Sequence, residues 1–297
     1  MEGFIDTLNG LIWSNWLVFL CLGAGAYFTL VTLFLQIRCL PDMIRQLKSG
    51  EKSEEGISSF QSLMISLAGR VGVGNIAGVA TAIAFGGPGA VFWMWLVALL
   101  GSATSFIECC LAQIYKETDR DTGEYRGGPA YYIEKAYKHT TAAPFMLVYA
   151  IIFAICMLLA TSYFLPGIQA NGVAAAVDNA WGIDVKISAA VMAILLAFII
   201  IGGVKRIANF ASMVVPFMAA IYIIIAIVVL FANASDIPEV FGVIFRSAFD
   251  KEAAFSGMLG AAIMWGVKRG IYSNEAGQGT GPQSAAAAEV SLSLIHI

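Results

Sequence analysis

Residues 66–85 read SLAGRVGVGNIAGVATAIAF, and residues 258–282 read MLGAAIMWGVKRGIYSNEAGQGTGP. In both stretches glycines cluster within an apolar run, around Asn75 in the first and around Ser273 and Asn274 in the second. Each glycine weakens a helix by up to about 1 kcal/mol relative to alanine, so several within two turns favour local unwinding. Unwound backbone at membrane depth is tolerated only where protein or a water-filled cavity supplies hydrogen-bond partners. The two stretches therefore predict interrupted helices that line a site.

The composition around these stretches is that of a membrane protein. Of the 297 residues, 59% are hydrophobic and 12% are charged, whereas an average soluble domain has about 25% charged residues. A helix needs roughly 20 apolar residues to cross a bilayer, so this length allows about ten crossings at most and about six to eight after loops. The apolar content and a net charge of -3 exclude a nucleic-acid binder, a secreted disulfide scaffold and a disordered tail.

Apolar runs bounded by polar residues, glycine or proline predict seven membrane-spanning segments. They cover about 16–37, 60–85, 89–115, 144–177, 187–204, 207–231 and 253–280. The fourth run is long and contains Pro166, which predicts a tilted or kinked helix, or a break near residues 165–167. The stretch around 237–249 is amphipathic, and we expect it at the membrane interface.

The distribution of basic residues predicts the orientation, because cytoplasmic loops carry the excess of Lys and Arg. The loops on one side hold Arg38, Arg45, Lys48, Lys52, Lys116, Arg120, Arg126, Lys135, Lys138, Lys205 and Arg206, whereas those on the other side hold only Lys186, Arg246 and Lys251. The richer side is predicted to be cytoplasmic, which places the N-terminus outside.

Five ionisable residues fall inside the apolar runs. They are Arg70, Glu108, Lys268, Arg269 and Glu275. Ionisable groups at membrane depth are costly and mark either a functional site or an internal pair. The alternative is that they neutralise one another as structural ion pairs, or that their long side chains reach an interface.

The two glycine-rich stretches also resemble each other. Residues 75–78 read NIAG and residues 274–277 read NEAG, and a basic residue and a glycine precede each. Paired, glycine-interrupted helices that cross in opposite directions are the best sequence indication of a secondary transporter's binding site. Their free N–H groups suit an anionic group, and their unwound carbonyls suit a cation. The alternative is that the glycines only allow close helix packing.

Weaker signals accompany this pattern. Gln169 and Asn171 follow Pro166 in an otherwise apolar run, so their amides either face a cavity or join helices by hydrogen bonds. Trp265 lies one turn before the second cluster, where it either walls a small pocket or packs in the core. The histidines are His139 and His296, and no His/Cys cluster or nucleophile grouping has the spacing of an enzyme's site. We therefore predict no catalytic residues, no metal site and no enzyme.

Longer motifs identify a family. Residues 72–95 (GVGNIAGVATAIAFGGPGAVFWMW), 125–135 (YRGGPAYYIEK), 273–282 (SNEAGQGTGP) and 284–291 (SAAAAEVS) resemble the alanine/glycine:cation symporter family, also called sodium:alanine symporters. The resemblance implies an all-α, polytopic membrane protein with the LeuT-type fold, in which ten core helices form two inverted five-helix repeats. This chain would hold one leading helix, the first repeat and the first helix of the second repeat.

The resemblance also implies function and site. It implies uptake of alanine or glycine across the cytoplasmic membrane of a prokaryote, driven by sodium or less often by protons, with no cofactor beyond the coupling ion. The implied substrate residues are Gly72, Gly74, Asn75, Gln169, Trp265, Gly266, Gly270, Ser273 and Asn274. Trp265 would limit the substrate to a small side chain. The cation-binding residues stay unknown, because the cation is expected between the unwound part of the first core helix and an eighth core helix that this chain does not contain.

Two alternatives and one expectation about the chain end remain. The alternatives are proton-coupled uptake of other small neutral amino acids, and a channel or regulatory protein that reuses the fold. The family's pattern continues beyond residue 291 with further helices, whereas this chain ends LSLIHI. Those letters match an in-frame translation of a sequencing adapter. We therefore expect 1–291 to be an incomplete symporter domain and 292–297 a non-native tail of a truncated fragment.

Overall fold

The computed structural model describes residues 2–48, 56–249 and 258–289. These residues form helices, apart from one short hairpin of β1 (Glu117–Thr118) and β2 (Tyr125–Arg126). In chain order the helices are α1 (Glu2–Ile12), α2 (Asn15–Val31), α3 (Leu35–Arg38), α4 (Leu40–Lys48), α5 (Ser59–Arg70), α6 (Val73–Gly86), α7 (Gly89–Tyr115), α8 (Pro129–Tyr137), α9 (Ala143–Leu159), α10 (Leu165–Trp181), α11 (Val185–Ile200), α12 (Gly203–Ala232), α13 (Ile237–Phe249), α14 (Met258–Asn274) and α15 (Thr280–Ala287).

Within the described residues, five helical segments are long and apolar enough to cross a membrane. They are Asn9–Val31, Ser59–Gly86, Gly89–Tyr115, Ala143–Trp181 and Gly203–Ala232. The other two predicted segments correspond to α11, with 16 residues, and to α14, with 17 residues; residues 253–257 of the last prediction lie outside the described part. The prediction of a polytopic helical membrane protein is confirmed.

The first predicted segment is too long at its C-terminal end. Helix α2 ends at Val31, because Leu33 and Phe34 take left-handed backbone conformations with φ of 53° and 54°. Such φ values are rare for residues other than glycine and end a right-handed helix. The N–H of Phe34 then donates to the carbonyl of Thr29 at 2.8 Å, which closes the turn before α3.

The fourth predicted segment is one continuous helical stretch, without a break at residues 165–167. A π-helical turn at Ala160–Phe164 joins α9 to α10 directly before Pro166. Proline has no N–H and its ring clashes with the preceding turn, and a π turn is a usual way for a helix to absorb such a fault. The stretch ends at Gly182, which has a φ of 66°.

The chain divides into two compact units. The first unit contains Met1–Leu40, Asn75–Ile107 and Ile223–Gly277, and the second contains Pro41–Gly74, Glu108–Tyr222 and Gln278–Ile297.

In the first unit, α2, α6, α7 and α14 pack through apolar side chains and glycines. Val18, Val97, Val267 and Ile271 form one buried cluster, and Ala82, Ala90 and Met94 form another. A Cβ placed on Gly25 would lie 2.9 Å from the Cβ of Leu100, so α2 and α7 touch almost backbone to backbone. Helices in a bilayer gain little from the hydrophobic effect, and close contact through small residues is their main source of association.

In the second unit, α5 and α15 pack on α12 near the β1–β2 hairpin. Ile57, Ala208 and Ala288 form one buried cluster, and Met64, Ala211 and Val215 form another. Helix α5 begins with a capping box, in which Gln61 N–H donates to Ser58 Oγ at 3.2 Å and Ser58 N–H donates to Gln61 Oε1 at 2.8 Å. This reciprocal cap satisfies two otherwise unpaired donors at the helix start.

The outer faces of α9 to α12 are apolar and exposed. Phe198 on α11 is 64% exposed and Phe231 on α12 is 78% exposed. Exposed apolar side chains along long helices suit contact with lipid, since a helix satisfies its own backbone groups. The predicted amphipathic stretch at 237–249 coincides with α13, and its place at the membrane interface stays a prediction.

Candidate substrate site on the broken helices

The first glycine-rich stretch is interrupted as predicted. Helix α5 ends at Arg70 and α6 begins at Val73, so Val71 and Gly72 form the break. The N–H of Val71 still donates to the carbonyl of Leu67 at 3.0 Å, which closes the end of α5. Beyond that bond the chain leaves the helix inside an apolar segment of 28 residues, which is long enough to cross a bilayer.

The second stretch is interrupted later than the sequence predicts. Helix α14 runs without a break through Gly266 and Gly270 to Asn274, and the unwound residues are 275–279, before α15. Glu275 begins the break with a φ of 58°, and Gly277 and Gly279 have φ values of 83° and 86°. The N–H of Glu275 donates to the carbonyl of Ile271 at 3.0 Å, which is the usual closure of a helix by a left-handed residue.

Gly266 and Gly270 serve close packing, which explains why α14 does not unwind there. A Cβ on Gly266 would lie 2.6 Å from the carbonyl oxygen of Ala90 and 2.6 Å from the Cβ of Trp93. A Cβ on Gly270 would lie 3.0 Å from the Cβ of Val97. For these two glycines, packing against α7 outweighs the propensity of glycine to leave a helix. Their contact with substrate stays a prediction.

Asn274 is tied to main-chain groups in the first unit. Its Nδ2 donates to the carbonyl of Val97 on α7 at 2.9 Å, and its Oδ1 accepts from the N–H of Ala276 at 2.9 Å. Gly101 leaves room for this amide, because a Cβ there would overlap Nδ2 of Asn274. Asn274 therefore fixes the start of the second break. Asn75, the matching residue of the first stretch, is 8% exposed at the start of α6.

Trp265 lies on α14 where that helix meets α6. Its ring stacks on Phe85 with 5.0 Å between ring centroids and 20° between ring planes. The ammonium of Lys268 lies 5.9 Å from the Trp265 ring and the guanidinium carbon of Arg269 lies 5.7 Å from it. Lys268 and Arg269, two of the ionisable residues inside the apolar runs, thus lie beside Trp265, the predicted wall of the pocket.

In the second unit, α10 faces the first break. A Cβ on Gly72 would lie 3.1 Å from Oε1 and 3.2 Å from Nε2 of Gln169, so the Gln169 amide covers the break. One turn after Gln169 on α10, the backbone of Gly172 packs against Val73. A Cβ on Gly172 would overlap Cγ1 of Val73. Gly74 is buried. Asn171, the other amide considered, is exposed. The structure thus brings together Gly72 and Gln169 of the predicted set.

The halves of the two broken stretches pair in a crossed manner. In the first unit α6 packs on α14, where a Cβ on Gly86 would lie 2.8 Å from the Cβ of Trp265. In the second unit α5 packs on α15, where Ser62 Oγ donates to the carbonyl of Ser284 at 2.9 Å. The second half of the first stretch, α6, therefore packs on the first half of the second stretch, α14. The first half of the first stretch, α5, packs on the second half of the second stretch, α15.

The α5–α15 pair is completed at its far end by a short bridge. Ile57 and Ala288 form a parallel β-bridge, and the N–H of Ile57 donates to the carbonyl of Ala287 at 3.2 Å. Lys116 Nζ donates to the carbonyl of Ala288 at 2.8 Å and lies 3.9 Å from the ring centre of Tyr125. Burial lowers the pKa of Lys116, and the nearby charge of Glu289 raises it in part.

Several contributors were not found from the sequence. They are Phe85, Gly101, Gly172, and the serines Ser62, Ser66 and Ser284, all of common residue types in apolar or small-residue runs. Their roles depend on partners that are distant in the chain, and no local pattern marks them. Within the described ranges, no group of three His, Cys, Asp or Glu side chains is placed to hold a metal.

The fold and the site define a class: a helical, polytopic membrane protein built around two interrupted helices whose halves pair. Residues 1–294 match the model of the sodium:alanine symporter family, and the chain belongs to that family. This confirms the resemblance seen in the sequence motifs.

Three curated relatives cover 84 to 98% of this chain. It is 54% identical to the YrbD protein of Bacillus subtilis over 98% of this chain and 58% of that protein. It is 47% identical to the sodium/proton-dependent alanine carrier protein of Bacillus sp. strain PS3, over 84% of this chain and 54% of that protein. It is 43% identical to the sodium/alanine symporter AgcS of Methanococcus maripaludis, over 96% of this chain and 63% of that protein. The chain thus spans 54 to 63% of the length of these relatives.

Proposed function

We propose that this protein takes up alanine or glycine together with a cation, by alternating access, across the cytoplasmic membrane of a prokaryote. Family membership and the relatives named as alanine carriers support cation-coupled amino-acid symport. The observation that carries the proposal from this chain is the crossed pairing of α6 with α14 and of α5 with α15. That pairing brings together halves of two different interrupted helices, and it supports a LeuT-type arrangement, in which such helices form the site.

The proposed substrate residues carry groups suited to a zwitterion. The backbone N–H groups that begin α6 at Val73 favour a carboxylate, and the carbonyls that end α5 favour a cation. Gln169 adds a side-chain amide and Ser273 adds a side-chain hydroxyl. We retain Gly72, Gly74, Asn75, Trp265, Gly266, Gly270 and Asn274 as the other proposed substrate residues.

Sodium is the proposed coupling ion, with no further cofactor. The proton remains the alternative, since the carrier of Bacillus sp. strain PS3 is named as sodium/proton-dependent. Coupling requires that cation and amino acid bind better together than apart. Uptake of labelled alanine into proteoliposomes holding the full-length protein, with the sodium gradient and the pH gradient imposed separately, distinguishes the two. A flux that does not saturate with alanine and ignores both gradients would favour a channel instead.

Asn75→Ala is the sharpest test of the site. The variant is expected to abolish gradient-driven alanine uptake without lowering the yield of folded protein, because Asn75 lies directly after the break and its loss removes one amide. Asn179→Ala on the exposed face of α10 is the matched control and should transport normally. Normal transport by the Asn75 variant would contradict the proposed role.

The proposed orientation places the N-terminus outside and Lys48 in the cytoplasm. A cysteine introduced at Lys48 in the full-length protein should react with a membrane-impermeant reagent only after the cells are opened. Labelling of intact cells would contradict this orientation.

A further inference from the structure

The indole of Trp265 is held by a residue of another helix, Phe85 on α6. The two rings stack with a centroid separation of 5.0 Å and an interplanar angle of 20°. The neighbouring Gly86 permits this approach, because a Cβ there would lie 2.8 Å from the Cβ of Trp265 and 3.2 Å from the carbonyl oxygen of Ala261. Glycine at 86 brings the two helices together, and the ring at 85 then covers the indole.

Residues of α14 itself restrict the same indole. Lys268 and Arg269 follow Trp265 by three and four positions, so their side chains share its face of the helix. The Lys268 ammonium also lies 5.5 Å from the ring of Trp13, which keeps that side chain near the turn between α1 and α2. Contacts of a cation with an indole face are attractive. The orientation of Trp265 therefore depends on its own helix and on Phe85.

Phe85 contributes little to the core. Its side chain is 64% exposed, and a largely exposed phenylalanine adds little burial to the stability of a fold. Its stacked geometry is one of the two arrangements that aromatic pairs prefer. The Phe85 ring is exposed and yet stacks on Trp265, the proposed pocket wall. This arrangement suits a role in orienting the indole better than a role in packing the core.

We infer that Phe85 is a positioning residue that sets substrate selectivity by fixing the indole of Trp265. This inference rests on the proposed function, in which Trp265 limits the substrate to a small side chain. Without the Phe85 ring the indole gains freedom to turn, so the wall fits alanine less well and a larger side chain better. Phe85 acts through Trp265 and has no assigned contact with substrate.

The test compares KM values of the full-length protein in proteoliposomes, with alanine and valine as substrates. In Phe85→Ala the KM for alanine should rise, and the ratio of the KM for valine to the KM for alanine should fall. Each change should be about two- to tenfold, which is the factor that the interaction energy of one aromatic pair corresponds to. Phe85→Leu, which keeps bulk without a ring face, should behave like Phe85→Ala. Phe85→Tyr keeps the ring and should retain the wild-type ratio.

The control removes a comparable aromatic contact elsewhere. Phe241 on α13 lies 5.8 Å from the ring of Trp95 at 34°, is 46% exposed, and its change to Ala should leave the KM ratio unchanged. An equal loss of maximal rate for both substrates in Phe85→Ala, with unchanged KM values, would show a structural role and overturn the inference. A wild-type protein that takes up no alanine would overturn the proposed function as well, so the two failures are distinguishable.

Discussion

The two pairs of half-helices are held together by different chemistry. Helices α6 and α14 pack through complementary shape. Gly86 leaves room for the Cβ of Trp265, Gly78 faces Arg269, and Phe85 stacks on the indole. The α5–α15 pair meets through hydrogen bonds between Ser62, Ser66 and Ser284. Both solutions replace the hydrophobic drive that is missing between helices in a bilayer.

This difference indicates how each pair responds to change. A contact made by shape tolerates no added atom where the two surfaces already touch, since close-packed surfaces do not deform continuously. A hydrogen-bonded contact instead loses about 1 kcal/mol net for each bond that is removed. We therefore expect the α6–α14 pair to be sensitive to volume and the α5–α15 pair to be sensitive to polarity and pH.

Gly86→Ala should have the largest effect on stability. The added Cβ would lie 2.8 Å from the Trp265 Cβ and 3.1 Å from the Ala90 Cβ, neither of which is the free end of a flexible side chain. Overpacking of this kind costs about 1 to 3 kcal/mol, and the better helix propensity of alanine returns up to about 1 kcal/mol. A net loss of about 2 kcal/mol is expected in the free energy of unfolding of the purified protein.

Gly78→Ala on the same helix is the matched control. A Cβ there would meet only the Arg269 Cδ, at an ordinary 3.7 Å, so alanine should be neutral or stabilising by up to about 1 kcal/mol. Equal losses in both variants would show that glycine at 86 matters for backbone freedom and not for fit, and would remove the distinction between the two pairs.

Ser284→Ala should have a smaller effect, on the other pair. Ser284 Oγ lies 2.9 Å from Ser66 Oγ and donates to the carbonyl of Gly281 at 2.9 Å. Loss of the hydroxyl leaves Ser66 without this partner and should cost about 1 kcal/mol. The double variant Ser66→Ala with Ser284→Ala should cost less than the two single changes added together, since contacting residues are coupled.

Ser102→Ala provides the baseline for that cycle. Its hydroxyl donates only within its own helix, to the carbonyl of Leu99, and is exposed, so a change near zero is expected. Additive losses at Ser66 and Ser284, measured by unfolding in a mild detergent, would mean that the serine contact does not hold α5 to α15.

The sequence predicted the first break well because that break depends on local chemistry. Glycines clustered around Asn75 lower helix propensity, and the helix is interrupted within that cluster, between Arg70 and Val73. The apolar periodicity and length likewise predicted the long spans, since a bilayer demands about 20 apolar residues whatever the neighbours are.

The second break shows what a local signal cannot decide. Gly266 and Gly270 lower helix propensity just as much, yet their lack of a side chain lets α14 touch Ala90 and Val97. Only the partner helix, which is more than 160 positions away in the chain (for example Trp93 from Gly266), distinguishes a glycine that unwinds from one that packs. For the same reason Phe85 was indistinguishable from a lipid-facing phenylalanine until Trp265 was found against it.

The smallest expected effect is a pH dependence confined to the α5–α15 side, through Lys116. Burial lowers the pKa of Lys116 from its ordinary value of 10.5, against the opposing charge of Glu289. Between the folded-state pKa and 10.5 the unfolded chain binds more protons than the folded chain, so the free energy of unfolding rises with pH across that window. Below the window the contribution of Lys116 is constant and unfavourable.

Lys116→Met removes both this titration and the bond to the Ala288 carbonyl. The difference in unfolding free energy between wild type and variant should therefore grow as pH rises through the alkaline window, whereas the loss caused by Gly86→Ala should stay flat over the same range. Unfolding of both variants and wild type across that range, in one detergent, measures the contrast. A wild-type advantage over the Lys116 variant that shrinks with rising pH would mean that Lys116 is stabilised as a cation. The α5–α15 pair would then depend on an ion pair between Lys116 and Glu289 more than on the hydrogen bond from Lys116 to the Ala288 carbonyl at the end of α15.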